Sequence, residues 1–107
     1  MIGGNITAYL EVRTTEKNEI GEAITKWETK YQLVGFLDLS TGDSKHTNFN
    51  AKLQESTHIF ICDYLNLEVK ANQARMVINK KSYDVQLIDN PMELNEHIEI
   101  YLKYIGD

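Results

Sequence analysis

Ile98, Ile100, Leu102 and Tyr104 alternate with His97, Glu99, Tyr101 and Lys103 near the end of the chain, and Ile6, Ala8, Leu10 and Val12 alternate with Thr7, Tyr9, Glu11 and Arg13 near its start. A period of two sends successive side chains to opposite faces, the pattern of a strand with one face on a core and the other in water. An amphipathic helix would repeat at three and four instead. The chain is therefore read first as a β protein.

The segments between these ribbons fit the same reading. Residues 25–40, "TKWETKYQLVGFLDLS", carry Trp27, Tyr31, Val34, Phe36 and Leu37 and read as a strand, with Gly35 marking a bulge or a close backbone approach and Trp27 assigned to the core. The polar stretch "TTEKNEIGEAI" before it, with Gly21, reads as a hairpin arm or loop. "HIFICDY", residues 58–64, is a short strand, and residues 66–74, "NLEVKANQA", are a polar connector. Residues 75–89 read as a hairpin in which Met76 and Ile78 lead in, Tyr83, Val85 and Leu87 lead out, and Asn79–Ser82 holds the turn, since Asn tolerates a left-handed backbone. Asn90–Pro91 marks another turn, and Glu93–Glu96 is read as one helical turn. Residues 40–57 are mostly polar, with Phe49 and Leu53 four apart on a short helical turn. A loop of that length is usually functional. The fold expected is mainly β: a small antiparallel β-barrel or sandwich of five or six strands, with a long polar loop and at most a short helix.

Composition bounds the function. The chain's 107 residues suit one domain, taken as residues 1–107, and its 42% hydrophobic content suits a modest core. Eleven Lys and Arg against sixteen Asp and Glu give a formal charge of −5. Lys80–Lys81 is the longest basic run, so sequence-specific DNA or RNA binding is disfavoured. A single cysteine cannot form an internal disulfide and fits a reducing compartment such as a bacterial cytoplasm. The N-terminal residues lack the basic and apolar regions of a signal peptide, and no stretch reaches the roughly 18 apolar residues of a membrane-spanning helix.

The one place where chemistry is suggested is "THIFICDY", with His58, Cys62 and Asp63 close in sequence. His58 and Cys62 have the same parity, but four residues of strand separate them by roughly 13 Å. A thiol and its base need about 3 Å. Cys62 is better read as a small buried hydrophobe and Asp63 as the end of the strand. His46, His58 and His97 show no metal-ligand spacing, and there is no phosphate-binding loop or nucleophile elbow. No catalytic residue, cofactor or metal is expected.

The order of elements resembles the head–tail joining proteins of tailed bacteriophages, also called head closure, head completion or head–tail adaptor proteins. The resemblance rests on "NEIGEAITKWE", then a strand into a polar loop, then "THIFICDYL", then "RMVINKKSYDVQLIDNP" and a final alternating strand, over residues 6–105. The family pattern is roughly D-x-x-G-x-x-x-x-T-W in the first hairpin, where this chain has Asn18, Gly21, Thr25 and Trp27. The family's Arg-led strand, short turn and aromatic-led strand are matched by Arg75–Ile78 and Tyr83–Val85. Lys80 stands where the family usually has Gly, and residues 40–57 depart from its more helical, tyrosine-containing segment.

The resemblance implies a non-enzymatic virion protein, made in the bacterial host cytoplasm. It would be monomeric when isolated and ring-forming, as a dodecamer, below the portal–adaptor complex at the neck. Its partners would be portal or head–tail adaptor proteins and a tail completion protein. Packaged DNA would pass nearby without specific binding, and no membrane would be involved. Two contact regions are expected. One is the 40–57 loop, with Lys45, Phe49, Lys52 and Leu53, where Phe49 either anchors in a neighbour or packs back on its own barrel. The other is the first hairpin tip, Lys17 to Glu22, including Glu19, whose plainer reading is a solvated turn. Arg75 is expected to pair with a carboxylate across strands. The rival readings are a tail completion or other neck or tail-tube component, a small oligonucleotide-binding barrel using Tyr9, Tyr101 and Tyr104, and a small hydrolase using Cys62.

Overall fold

A computed structural model describes residues 4–39 and 56–106. The alternating segments form six strands: β1 Ile6–Lys17, β2 Ala23–Leu39, β3 His58–Asp63, β4 Ala74–Ile78, β5 Lys81–Asp89 and β6 His97–Gly106. All neighbours run antiparallel, in the order β1-β2-β3-β6-β5-β4, and β4 returns to β1 to close a barrel. Closure decides between the expected barrel and sandwich. The closing seam pairs Ala8 with Ile78, Leu10 with Met76 and Val12 with Ala74. Short 3-10 turns at Ala71–Gln73 and Pro91–Glu93 are the helical content of the described residues.

The barrel is filled by the inward phase of each strand. Phe60, Leu10, Met76, Ile78, Ile100 and Leu102 are the largest fully buried side chains, joined by Leu33, Tyr83, Val85 and Ile98. Six side chains of this size, closed in on every side, supply the apolar burial on which so small a chain depends. Leu67 and Val69 of the 66–74 connector pack on this cluster from outside the strands.

Three register shifts interrupt the pairing: one skips Ile105, between the pairs Ser82–Gly106 and Tyr83–Tyr104, and the other two change the faces of neighbouring residues. Leu10 opposes Tyr31 but Glu11 opposes Thr29, so Lys30 is an extra residue in β2. Tyr31, Leu33 and Trp27 share parity in the sequence, yet past the bulge Trp27 opposes Arg13 on the outer face. The assignment of Trp27 to the core is therefore corrected: one added residue reverses every face beyond it. In β5, Val85 opposes Leu102 and Leu87 opposes Tyr101, with Gln86 the extra residue, so Leu87 turns outward and Ile88 takes the inward place.

Gly35 is a close approach, with the β2 bulge five residues away. A Cβ there would collide with the Ile61 carbonyl oxygen and crowd the Cys62 side chain. The β4–β5 connection has two residues, Asn79 and Lys80, at φ 51° and 65°. Both are left-handed, the pattern of a type I′ hairpin. The helical turn expected over Glu93–Glu96 lies earlier, at Pro91–Glu93, where Pro91 opens it and the Leu94 N–H donates to the Pro91 carbonyl.

These positions give substitutions of opposite sign. Lys80→Gly removes side-chain strain from a left-handed position and should raise stability by about 0.5–1 kcal/mol. Gly35→Ala forces a methyl against backbone that no rotamer change relieves and should cost about 2–3 kcal/mol. Urea unfolding followed by tryptophan fluorescence measures both.

Candidate functional site

Beyond Val12, β1 has no partner in β4, and β2 first meets β3 at Gly35. Between these points Arg13–Lys17 pairs with Ala23–Trp27 alone among the described strands, so the first hairpin projects from the barrel as a two-stranded arm. Five residues of strand and a turn give it a reach of about 20 Å. Both strands of the expected "hairpin arm or loop" are thus pleated, the alternative of an unstructured loop being replaced by paired strand.

The foot of the arm is held by Arg75. Its Nε donates to Glu11 Oε1 at 2.7 Å, and its guanidinium lies 4.5 Å from the Trp27 ring centre. The expected cross-strand pair of Arg75 is present, and Trp27 serves as the platform beneath it rather than as core. Glu11 opposes Arg75 across the seam, and Trp27 comes from the far strand, so one guanidinium ties three strands together. Midway along the arm Lys26 Nζ meets Glu16 at 2.9 Å. Its hydrogen bond to Glu16 holds the Lys26 ammonium above its usual range.

The apex is ordered by its own short-range bonds. Asn18 Oδ1 accepts the N–H groups of Ile20 and Glu22, at 3.0 and 2.9 Å. The Asn18 carbonyl accepts the Gly21 N–H, and Gly21 sits at φ 85°. This local satisfaction of the backbone is what Asn and Gly contribute to turns. Lys17, Glu19 and Glu22 all lie exposed at this apex, so three of the expected contact residues are brought together. Between the two carboxylates stands Ile20, 77% exposed. Its exposure had no signal in the sequence beyond an apolar residue inside a polar turn. Lys45, Phe49, Lys52 and Leu53 lie outside the described residues.

Two further surfaces were not anticipated. On the outer wall, Val34 and Phe36 are about half exposed, and Phe36 opposes Ile61 while Ile59 opposes Tyr101. Val34 and Phe36 alternate out of phase with buried Leu33 and Gly35, which is the signal that could have found them. At the foot of the arm opens a cleft of about 490 Å³, with Val12, Leu67 and Val69 apolar and Arg13, Lys30 and Lys70 basic. The connector is fastened there by Lys30 Nζ donating to the Glu68 carbonyl and by the Glu68 N–H donating to the Tyr31 hydroxyl.

The residues first suspected of chemistry are arranged for packing. The His58 ring stands edge-on to Tyr83, with Nδ1 at 2.8 Å from Thr57 Oγ1. Cys62 lies buried in the barrel, and burial, helped by the Asp63 charge, pushes its thiol up to about 11. Asp63 ends β3. Outside, Glu99 accepts from the Tyr101 hydroxyl at 2.8 Å and lies 3.1 Å from His97 Nε2, every second residue of one strand face. Burial, then the bond to Glu99, holds the Tyr101 hydroxyl above its ordinary range. Among the described residues no three His, Cys, Asp or Glu converge as metal ligands, and no helix is long and apolar enough to cross a membrane.

No known protein-family profile matches the chain, and no curated protein matches it in sequence. The fold is nevertheless shared. The solution structure of protein SF1141 from Shigella flexneri 2a superposes with a TM-score of 0.73 at 13% identity, covering 97% of this chain and 95% of that one. A chain in the virion of a native gene transfer agent particle superposes with a TM-score of 0.61 at 10% identity, covering 96% of each. A virion chain uses this fold. Identities so low carry the architecture alone, and the match runs through barrel and arm alike.

Arg75→Lys keeps the charge but loses the flat contact with Trp27 and the aligned bond to Glu11, and should cost about 1–2 kcal/mol in thermal unfolding. Cys62 should resist alkylation in the folded protein and react on unfolding. A thiol whose folded pKa is raised contributes stability that is present below about pH 9 and lost as pH rises toward about 11. Denaturation curves across that window should show the loss, and Cys62→Ala should remove that step.

Proposed function

We propose that the chain is a non-enzymatic structural component of a phage-like virion, and within it a head-closure connector. It would join a ring below the portal–adaptor complex, retain the packaged DNA and present a surface to the tail. The observation that carries this reading is the combination of a closed small barrel with a projecting two-stranded arm, in a fold that a gene transfer agent virion also contains. The order of sequence elements adds the resemblance to head–tail joining proteins.

The physical features suit a repeated wedge. A closed barrel leaves no barrel edge strand to pair at random with other chains. The arm offers a defined projection with a fixed apex, and weak contacts repeated around a closed ring combine through multivalency. Before assembly the chain would be monomeric. A formal charge of −5 lets DNA pass without being gripped. The non-enzymatic part is supported by the placement of Cys62 inside the barrel, four strand residues from His58.

Deleting the gene and imaging the particles tests the reading. Packaged heads that leak DNA and lie beside free, normal tails are the expected outcome. Heads still joined to tails would contradict it, and closed heads beside defective tails would favour a tail-completion role. Particles carrying Cys62→Ala should be fully infectious; loss of infectivity with the fold intact would return the hydrolase reading.

A further inference from the structure

The apex of the arm and the cleft at its foot are complementary in chemistry. The apex presents Ile20 between Glu19 and Glu22, with Lys17 behind them. The cleft is lined by Val12, Leu67 and Val69 together with Arg13, Lys30, Lys70 and Gln73, and Glu68 is the one carboxylate of that lining. In a chain with sixteen acidic and eleven basic residues, a surface with three cations to one carboxylate runs against the overall balance.

We propose that the arm apex of one copy docks in the arm-foot cleft of a second copy, Ile20 packing on Val12, Leu67 and Val69, and Glu19 and Glu22 meeting Arg13, Lys30 and Lys70. The proposal rests on the ring reading above and names the contact that builds the ring. An arm cannot fill its own cleft. Arg13 and Lys17 stand on one continuous paired strand, so apex and cleft are held about 15–20 Å apart. The contact is therefore between copies. In the ring reading the contact is head-to-tail, each apex passing to the next copy, and such contacts close into a ring where the rotation between copies allows it. The apex is set before docking by the two bonds to Asn18 Oδ1, which limits the ordering cost of binding. The Lys30 bond to the Glu68 carbonyl likewise fixes one wall of the cleft.

The full chain tests this by sedimentation up to about 1 mM, a range suited to contacts that are weak singly. The expected result is concentration-dependent association that weakens as salt screens the charges. Glu19→Lys with Glu22→Lys, and separately Arg13→Glu with Lys70→Glu, should each weaken it about tenfold or more. Mixing the two variants should restore charge opposition in a further sense: each cleft-altered chain keeps a good apex, and each apex-altered chain keeps a good cleft. The two reversed surfaces are again opposite in charge, so the mixture should associate beyond pairs although neither variant does so alone. Circular dichroism of each variant should match the unaltered chain, which separates lost docking from lost folding. Monomers at every concentration, association indifferent to both variants, or no pairing in the mixture would each overturn the contact. So would a short DNA duplex that binds the Arg13–Lys70 cleft at physiological salt. Association through other residues would overturn this contact while leaving the ring reading standing, since particle imaging tests that reading separately.

Discussion

The pairing of β1 with β4 is the constraint on which the rest of the structure depends. Through the rungs Ala8–Ile78, Leu10–Met76 and Val12–Ala74 it turns an antiparallel sheet into a closed ring. Closure removes the exposed edges that an open sheet would offer to other chains. It also surrounds Leu10, Met76 and Ile78 with neighbours on every side, which is how so short a chain builds a filled interior. The seam is only five residues long on the β4 side, whereas β1 has twelve. What β1 has in excess becomes the arm. One mismatch in strand length thus sets both the stable body and the part that reaches away from it.

The arm needs an anchor because a two-stranded ribbon alone is marginal in water. Arg75 provides it by joining a charge partner in β1 to an aromatic platform in β2, at the place where the ribbon leaves the barrel. The bulge at Lys30 is what makes this arrangement available. Without the extra residue Trp27 would turn to the inner side and Arg75 would face no ring. The same bulge brings Lys30 to the connector and so shapes the cleft beside the arm's foot. A local irregularity in one strand therefore places the anchor and frames the cleft together.

Much of the barrel was legible in the sequence, for a definite reason. In β1 and β6 one face meets core and the other water, so hydrophobicity alternates cleanly, and Leu10, Ile98, Ile100 and Leu102 are buried as their spacing implies. Asn79 announced its turn because few side chains accept a left-handed backbone. The rise of an extended strand, and not parity, separated His58 from Cys62. What could not be read was anything that depends on distant strands. The phase reversals at Lys30 and Gln86 leave no mark in composition, and Trp27 was misplaced by the first of them. Closure is a long-range event between Val12 and Ala74. The cleft gathers Arg13, Lys30 and Lys70 from three separate segments, none of them basic as a run. At the apex, Lys17, Glu19 and Glu22 were legible as a tip, but the protruding Ile20 was visible only once the turn was built.

Native-state hydrogen exchange tests the claim of a closed barrel with an arm leaving at its seam most directly. Hydrogen-bonded amides along the β1–β4 seam, between Ala8 and Val12 and between Ala74 and Ile78, should exchange as slowly as those of β3 and β6, through global unfolding alone. Amides of the arm beyond Arg13 should exchange faster, by local opening that leaves the seam intact. Seam amides that exchange as fast as the arm would mean that the sheet is open in solution, and would contradict the account.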